Sequence, residues 1–204
     1  MATTTKRRTL RLIDDLDHTR TSGSQVVLYG PAVHDLYVDE ANRVLSLPDL
    51  IRSYCTSRNI GLLSYRMETG PLAQVTLQAD GATPKAGANK QPSGRFIRPR
   101  DDEHPAQTIS RMINDLKATA QPSILFLDYA DLILRHDGPN DLGTAALIET
   151  VQALVENSAE WSRVGLQVIL CDRGGGIVPR IPSPPGIKSI ALEPPEAIET
   201  AVIW

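Results

Sequence analysis

The chain has 204 residues, of which 41% are hydrophobic, 22% are charged and 4% are aromatic, and its formal net charge is −3. These values predict a single folded domain over residues 1–204 and exclude a wholly disordered chain or one with a basic footprint for generic nucleic-acid binding. No apolar run reaches the roughly 18 residues of a membrane-spanning helix, and the N-terminus lacks the apolar core of a secretory signal, so we expect no membrane partner.

The first part of the chain predicts two helices and two buried strands. Apolar residues at helical spacing, with acidic residues between them, indicate a surface helix over 8–20. Short apolar runs bounded by turn residues are typical of strands buried on both faces, and such runs occupy 25–29 and 61–65. Between these strands, residues 46–59 have one apolar face, and Ser46 predicts the start of a helix.

Residues 70–105 differ in composition from the rest of the chain. The segment is rich in Gly, Pro, Ala, Lys and Gln, and its apolar residues are scattered except at 73–77, which could form a strand. We therefore predict a flexible insertion or long loop. Its basic residues fall within 84–100, and they are Lys85, Lys90, Arg95, Arg98 and Arg100. A solvated loop is the favoured interpretation, and a substrate- or nucleic-acid-contacting loop is the alternative.

The remainder of the chain predicts alternating helices and strands. Helical apolar stripes cover 105–117 and 142–160, and a further helix begins at Glu196. Buried-strand runs cover 123–128, 166–171 and 188–192. This alternation predicts an α/β three-layer sandwich with a mostly parallel five-stranded sheet. Ligands of such sheets bind at the carboxyl ends of the strands, which here are Gly30, Arg66, Asp128 and Asp172.

Cys55 and Cys171 lie far apart in the sequence and have no metal-ligand spacing. They predict buried, reduced thiols in a cytoplasmic protein, with a single disulfide as the alternative. The four histidines share no metal-ligand spacing either, so each is expected to be a surface or loop residue.

Four segments together resemble the core domain of an AAA+ ATPase, a P-loop NTPase. Tyr29-Gly30-Pro31 is similar to the opening of the Walker A loop, and 124–131 is similar to the apolar strand and acidic end of Walker B. Residues 168–172 correspond to the strand that ends in the sensor-1 residue, and 190–195 to the fifth strand and its proline turn. The resemblance implies an ATP-binding site with Mg²⁺ held by Asp128. The cofactor-binding residues it implies are Gly30, Pro31, Asp128, Asp131, Asp172 and Arg173.

The sequence departs from both Walker motifs. A working P-loop needs further glycines, a phosphate-binding Lys and a Mg²⁺-binding Ser or Thr, and residues 32–37, directly after Pro31, contain none of them. Instead Asp35, Asp39 and Glu40 would place negative charge where phosphates should lie. Tyr129 stands where Walker B has its catalytic Glu, and a neutral phenol cannot serve as the base at neutral pH. No catalytic residue is therefore assigned, and the absence of any cofactor is as well supported as ATP with Mg²⁺.

Two strand ends allow more than one interpretation. Arg173 precedes three glycines, which favours either an anion-binding loop or, preferably, a turn in which Arg173 pairs with Asp172 or Asp128. Asp128 itself is either a metal ligand or a carboxylate bonded to backbone N–H groups.

The chain ends at Trp204, within what would be the first helix of the AAA+ lid. The resemblance therefore implies that the lid is supplied by another chain, or that this is a truncated or minimal relative whose apolar C-terminal edge contacts protein subunits or a second copy.

The leading hypothesis is a catalytically weak or inactive nucleotide-binding-type module that serves as a binding or regulatory subunit of a larger assembly. An active ATPase whose loop is completed by a neighbour in an oligomer is one alternative. A non-enzymatic nucleic-acid or protein adaptor that uses the basic insertion 84–100 is the other.

Overall fold

The computed structural model describes residues 7–39, 41–66, 105–118, 122–133, 149, 153, 158–163, 165–174, 186–195, 200 and 203. In chain order, the helices and strands are α1 (Arg7–Thr21), β1 (Gln25–Tyr29), β2 (Leu36–Val38), β3 (Val44–Ser46), α2 (Leu47–Ser57), β4 (Gly61–Arg66), α3 (Pro105–Ala118), β5 (Ser123–Asp128), α4 (Ala130–Ile133), α5 (Ser158–Arg163), β6 (Leu166–Asp172) and β7 (Ile187–Ala191).

Five strands form one parallel sheet in the order β4-β5-β6-β1-β7. The inner strands β5 and β6 are buried at every position because their apolar runs are covered on both faces. The prediction of an α/β fold with a mostly parallel five-stranded sheet is confirmed.

Helices pack against both faces of this sheet. Along β5, Leu125 belongs to a core cluster that includes Met112 of α3. The next residue, Phe126, belongs to a second cluster that includes Leu16 of α1 and Ile51 of α2. Alternate residues of a strand point to opposite faces, so these two clusters are the two faces of the sheet.

Most predicted elements are confirmed, with shifts at their ends. Ser46 is the N-cap of α2, where its side chain accepts a hydrogen bond from the Asp49 N–H, as the sequence predicts. The last strand, predicted over 188–192, is β7 (Ile187–Ala191) and so begins and ends one residue earlier. Leu192 is buried and apolar like a strand residue, but it lies beyond β7. Of the helix predicted over 142–160, the described residues Glu149 and Ala153 are helical, and α5 (Ser158–Arg163) ends three residues beyond the predicted end.

Several predictions fall outside the described residues: the insertion apart from Pro105, its strand at 73–77 and its basic cluster. Of the helix predicted from Glu196, the described residues Thr200 and Ile203 are helical.

A short antiparallel hairpin was not predicted. It consists of β2 and β3, with Leu36 opposite Ser46 and Val38 opposite Val44. Its turn includes Asn42 at a φ of 61°, a conformation that asparagine tolerates better than most residues. Three-residue strands carry too little alternation to be recognised in a sequence.

Cys55 and Cys171 are both free and buried, which confirms the prediction of reduced thiols. Burial raises the pKa of the Cys55 thiol to about 12. None of the described helices combines the length and the apolar character that crossing a membrane requires.

Candidate functional site

The candidate site lies where the order of the strands reverses. Strands β1 and β6 are neighbours, yet the chain leaves β1 for β4 at one edge of the sheet and leaves β6 for β7 at the other. Loops that diverge in this way open a crevice outside the carboxyl ends of the two strands, which is the usual ligand site of parallel sheets. The carboxyl end of β5 lies beside that of β6.

The loop after β1 begins at a position that only glycine fits. Gly30 has a φ of 110°, and a Cβ there would lie 3.0 Å from the backbone oxygen of Leu192, which follows β7. Side chains rarely adopt that φ, so Gly30 is required by the approach of two backbone segments. The resemblance to a P-loop had given this residue a nucleotide-binding role.

The same loop is closed by its own hydrogen bonds and by packing. Residues Pro31–His34 form a 3-10 helix in which Ala32 and Val33 are buried. The N–H of Val33 donates to the Gly30 oxygen at 3.3 Å, and that of Asp35 to the Ala32 oxygen at 3.1 Å. These groups are directed at the loop's own carbonyls.

Tyr37 of β2 lies buried beneath this loop. Its hydroxyl donates a hydrogen bond of 3.0 Å to the backbone oxygen of Ala32. Burial raises the pKa of the phenol well above its ordinary value, so the hydroxyl remains a donor at every physiological pH.

Two acidic residues near this loop, Asp35 and Asp39, each pair with an arginine, which offsets the negative charge that the sequence places there. Asp35 pairs with Arg8 of α1 at 3.2 Å. Asp39 is buried in the hairpin turn, where it accepts the N–H of Ala41 at 2.9 Å and pairs with Arg43. Burial of Asp39 opposes ionisation, but the bonds from Arg43 and Ala41 outweigh it, and the pKa of Asp39 is lowered. Glu40 lies outside the described residues.

Asp128, Tyr129 and Arg173, which we call the strand-end cluster, meet in the crevice. The guanidinium of Arg173 binds Asp128 through both carboxylate oxygens, with Nε 2.6 Å from Oδ1 and Nη2 3.2 Å from Oδ2. It also lies over the Tyr129 ring, 4.7 Å from the ring centre. The side chains of Arg173 and Asp128 are only 8% and 3% exposed. Of the two ion pairs that the sequence analysis considered, the pair with Asp128 is confirmed.

Arg173 also binds the loop after β1. Its Nη1 donates to the backbone oxygen of Val33 at 3.0 Å and lies 3.2 Å from His34 Nδ1. A guanidinium only donates, so His34 Nδ1 accepts. The other ring nitrogen, Nε2, then carries the proton and donates to the Arg173 backbone oxygen at 3.3 Å. Burial works against the charge of Arg173, but the hydrogen bond to Asp128 prevails and raises the Arg173 pKa.

Asp131 and Gly174 complete the described part of this arrangement. Asp131 Oδ1 accepts the backbone N–H of Arg173 at 3.0 Å. A Cβ on Gly174 would lie 2.5 Å from Asp131 Oδ2, so the small residue lets this carboxylate approach the loop. One N–H of the predicted anion-binding loop, that of Arg173, therefore binds a carboxylate of the chain itself. The two glycines that follow Gly174 lie outside the described residues.

The structure thus brings Asp128, Asp131 and Arg173 together. Asp172 is the last residue of β6, buried and opposite Tyr29 of β1, and Pro31 is exposed at the start of the 3-10 helix. The contacts of Arg173 with Val33 and His34, and its position over the Tyr129 ring, were not predicted from the sequence. No local signal marks them, because His34 and Arg173 are 139 positions apart.

Among the described residues, no three His, Cys, Asp or Glu side chains form a group that could hold a metal ion. No protein-family model matches the chain, and no curated protein matches it either.

Proposed function

We propose that this chain is an AAA+-like domain that does not hydrolyse ATP and acts as a binding or regulatory subunit for other proteins. The observation that carries the proposal is that Arg173 occupies both carboxylate oxygens of Asp128, the residue that the resemblance implies as the Mg²⁺ ligand. The parallel sheet and the closed loop after β1 support the proposal as well.

The sheet supports the family part of the proposal. Its five strands are parallel, and β1 lies between β6 and β7. A mostly parallel five-stranded sheet is what the resemblance to the AAA+ core domain implies. Because AAA+ domains work in assemblies, the resemblance also favours protein partners.

The residues of the crevice fit a nucleotide triphosphate poorly. A phosphate-binding loop directs several backbone N–H groups outward and adds a Lys. Here the N–H groups of Val33 and Asp35 donate within the loop, and no Lys lies between Gly30 and Val38. A loop packed onto Tyr37 would have to unfold locally before it could surround a phosphate.

Calorimetric titration of the full chain with ATP and Mg²⁺, followed by an assay of phosphate release, tests this proposal. We expect no binding heat and no turnover above background. Turnover that is lost in Asp128→Ala contradicts the proposal, and micromolar binding favours the alternative of an active ATPase. The matched control is Asp17→Ala, which removes a carboxylate of α1; turnover lost equally in both variants would indicate a contaminant or a folding defect.

A further inference from the structure

The Arg173 guanidinium lies within a set of acceptors that divalent metal ions also use as ligands. They are the two carboxylate oxygens of Asp128, the backbone oxygen of Val33 and Nδ1 of His34, at 2.6 to 3.2 Å from guanidinium nitrogens. Carboxylate and carbonyl oxygens are ligands of Mg²⁺ and Mn²⁺, and imidazole nitrogen is a ligand of most divalent transition metals. The donor set is thus one that a metal ion could use, and a cation of the chain itself is bound to it.

Burial favours a cation beside Asp128, whose Oδ1 also accepts the backbone N–H of Tyr129 at 3.1 Å. With its side chain 3% exposed, Asp128 is removed from water, and a buried carboxylate is stable only when paired or metal-bound. Arg173 supplies that positive charge from the neighbouring strand end. Its planar fork matches the carboxylate and leaves Nη1 for Val33 and His34.

We propose that Arg173 is a built-in cation in the place of a divalent metal ion, and that Asp128, His34 and the Val33 carbonyl form a latent metal site which Arg173 blocks. The inference rests on the proposed function, because the Arg173 guanidinium explains why Asp128, the residue expected to hold Mg²⁺, is not available to the metal ion. Removal of the guanidinium uncovers these acceptors, which bind different nitrogens of the guanidinium and therefore must move closer together to share one ion.

The test is titration of the full chain with MnCl₂, followed by calorimetry and by electron paramagnetic resonance of the free ion. We expect no binding to the wild-type crevice. In Arg173→Met, which keeps an unbranched apolar side chain over the Tyr129 ring, we expect Mn²⁺ to bind at least tenfold more tightly than to the wild type.

Matched variants identify the ligands. Arg58→Met is the matched control, because Arg58 also pairs with an aspartate, Asp17, and lies over a tyrosine ring, that of Tyr54. We expect this variant to gain no Mn²⁺ binding. Adding Asp128→Asn to Arg173→Met abolishes the new binding. Adding His34→Ala weakens it severalfold, which a carboxylate acting alone would not produce.

Three results overturn the inference: a folded Arg173→Met that binds Mn²⁺ no better than the wild type, equal gains in Arg58→Met, or gains that survive Asp128→Asn. If Arg173→Met does not fold, Arg173→Gln in saturating Mn²⁺ replaces it, and failure of both to fold there also overturns the inference, since a fitting cation would restore the lost charge. ATP turnover by the wild type contradicts the proposed function separately, because no nucleotide is present in the Mn²⁺ titration.

Discussion

The strand-end cluster has a counterpart in a second cluster of Asp, Tyr and Arg between the helices. In this helix-end cluster, Arg58 after α2 donates to Asp17 of α1 at 2.8 Å and lies over the Tyr54 ring, 4.4 Å from its centre. Tyr54 donates to Asp17 at 2.9 Å, and burial raises its pKa to about 12. In both clusters an arginine binds both carboxylate oxygens of an aspartate and lies over a tyrosine ring.

They differ in burial and in what they connect. The side chains of Arg58 and Asp17 are 29% and 36% exposed, against 8% and 3% for Arg173 and Asp128. Water therefore screens the helix-end pair and not the strand-end pair. The helix-end cluster joins two helices on one face of the sheet, whereas Arg173 joins the loops that follow β1, β5 and β6. The same trio thus serves as a surface contact in one place and controls the charge of the candidate site in the other.

The largest effect on stability is expected when each arginine is removed in turn. Arg173→Met leaves a buried carboxylate without its guanidinium, and such losses cost about 3–5 kcal/mol of unfolding free energy. Arg58→Met leaves a half-exposed carboxylate, for which about 0.2–1 kcal/mol is expected. Urea unfolding of both variants gives the comparison.

Asp128→Asn combined with Arg173→Met is the control for this experiment. It removes the unpaired charge as well as the guanidinium, so it should recover part of the loss. Equal destabilisation by the two single substitutions would show that burial does not distinguish the clusters.

A smaller effect is expected from Gly30→Ala. The φ of 110° and the approach of Leu192 within 3.0 Å of the added Cβ put strain on the alanine, which costs on the order of 1–3 kcal/mol. The loop that Gly30 begins carries Val33 and His34 to Arg173. Its distortion should therefore weaken the strand-end cluster only.

A double-mutant cycle with urea unfolding measures that selectivity. Gly30→Ala should be non-additive with Arg173→Met and additive, within about 0.5 kcal/mol, with Arg58→Met. Additivity in both cycles would mean that the loop and Arg173 are energetically independent.

The sequence predicts the sheet better than it predicts the site. The runs at 25–29, 123–128 and 166–171 are apolar because those strands are buried on both faces, a property that each run shows by itself. The positions of the strand ends, among them Asp128, follow directly from the predicted strands.

The connections within the site depend on chain segments that meet only after folding. Nothing in the sequence near Val33 or His34 indicates Arg173, and the hairpin that places Tyr37 under the loop has strands of three residues. The negative charge of Asp35 and Asp39 is offset by partners that no local pattern indicates, namely Arg8, 27 positions before Asp35, and the turn that holds Asp39. A local sequence pattern does not show which charged side chains are neutralised by residues far away in the chain.

The smallest expected effect concerns acid and the helix-end cluster. The hydrogen bond from Arg58 lowers the pKa of Asp17. A carboxyl group whose pKa is lower in the folded state contributes stability above its unfolded pKa, about 3.9, and this contribution is lost as the pH falls through the folded value. The difference in unfolding free energy between the wild type and Arg58→Met should therefore be at most about 1 kcal/mol. It should stay constant from pH 7 to about pH 5 and shrink toward pH 2.

Urea titrations at each pH measure this difference in unfolding free energy. Repetition in 1 M salt should reduce the difference at every pH because the pair is partly exposed. A difference that persists unchanged at pH 2 would mean that Arg58 stabilises through its packing on Tyr54 rather than through Asp17, and the two clusters would then differ in mechanism as well as in burial.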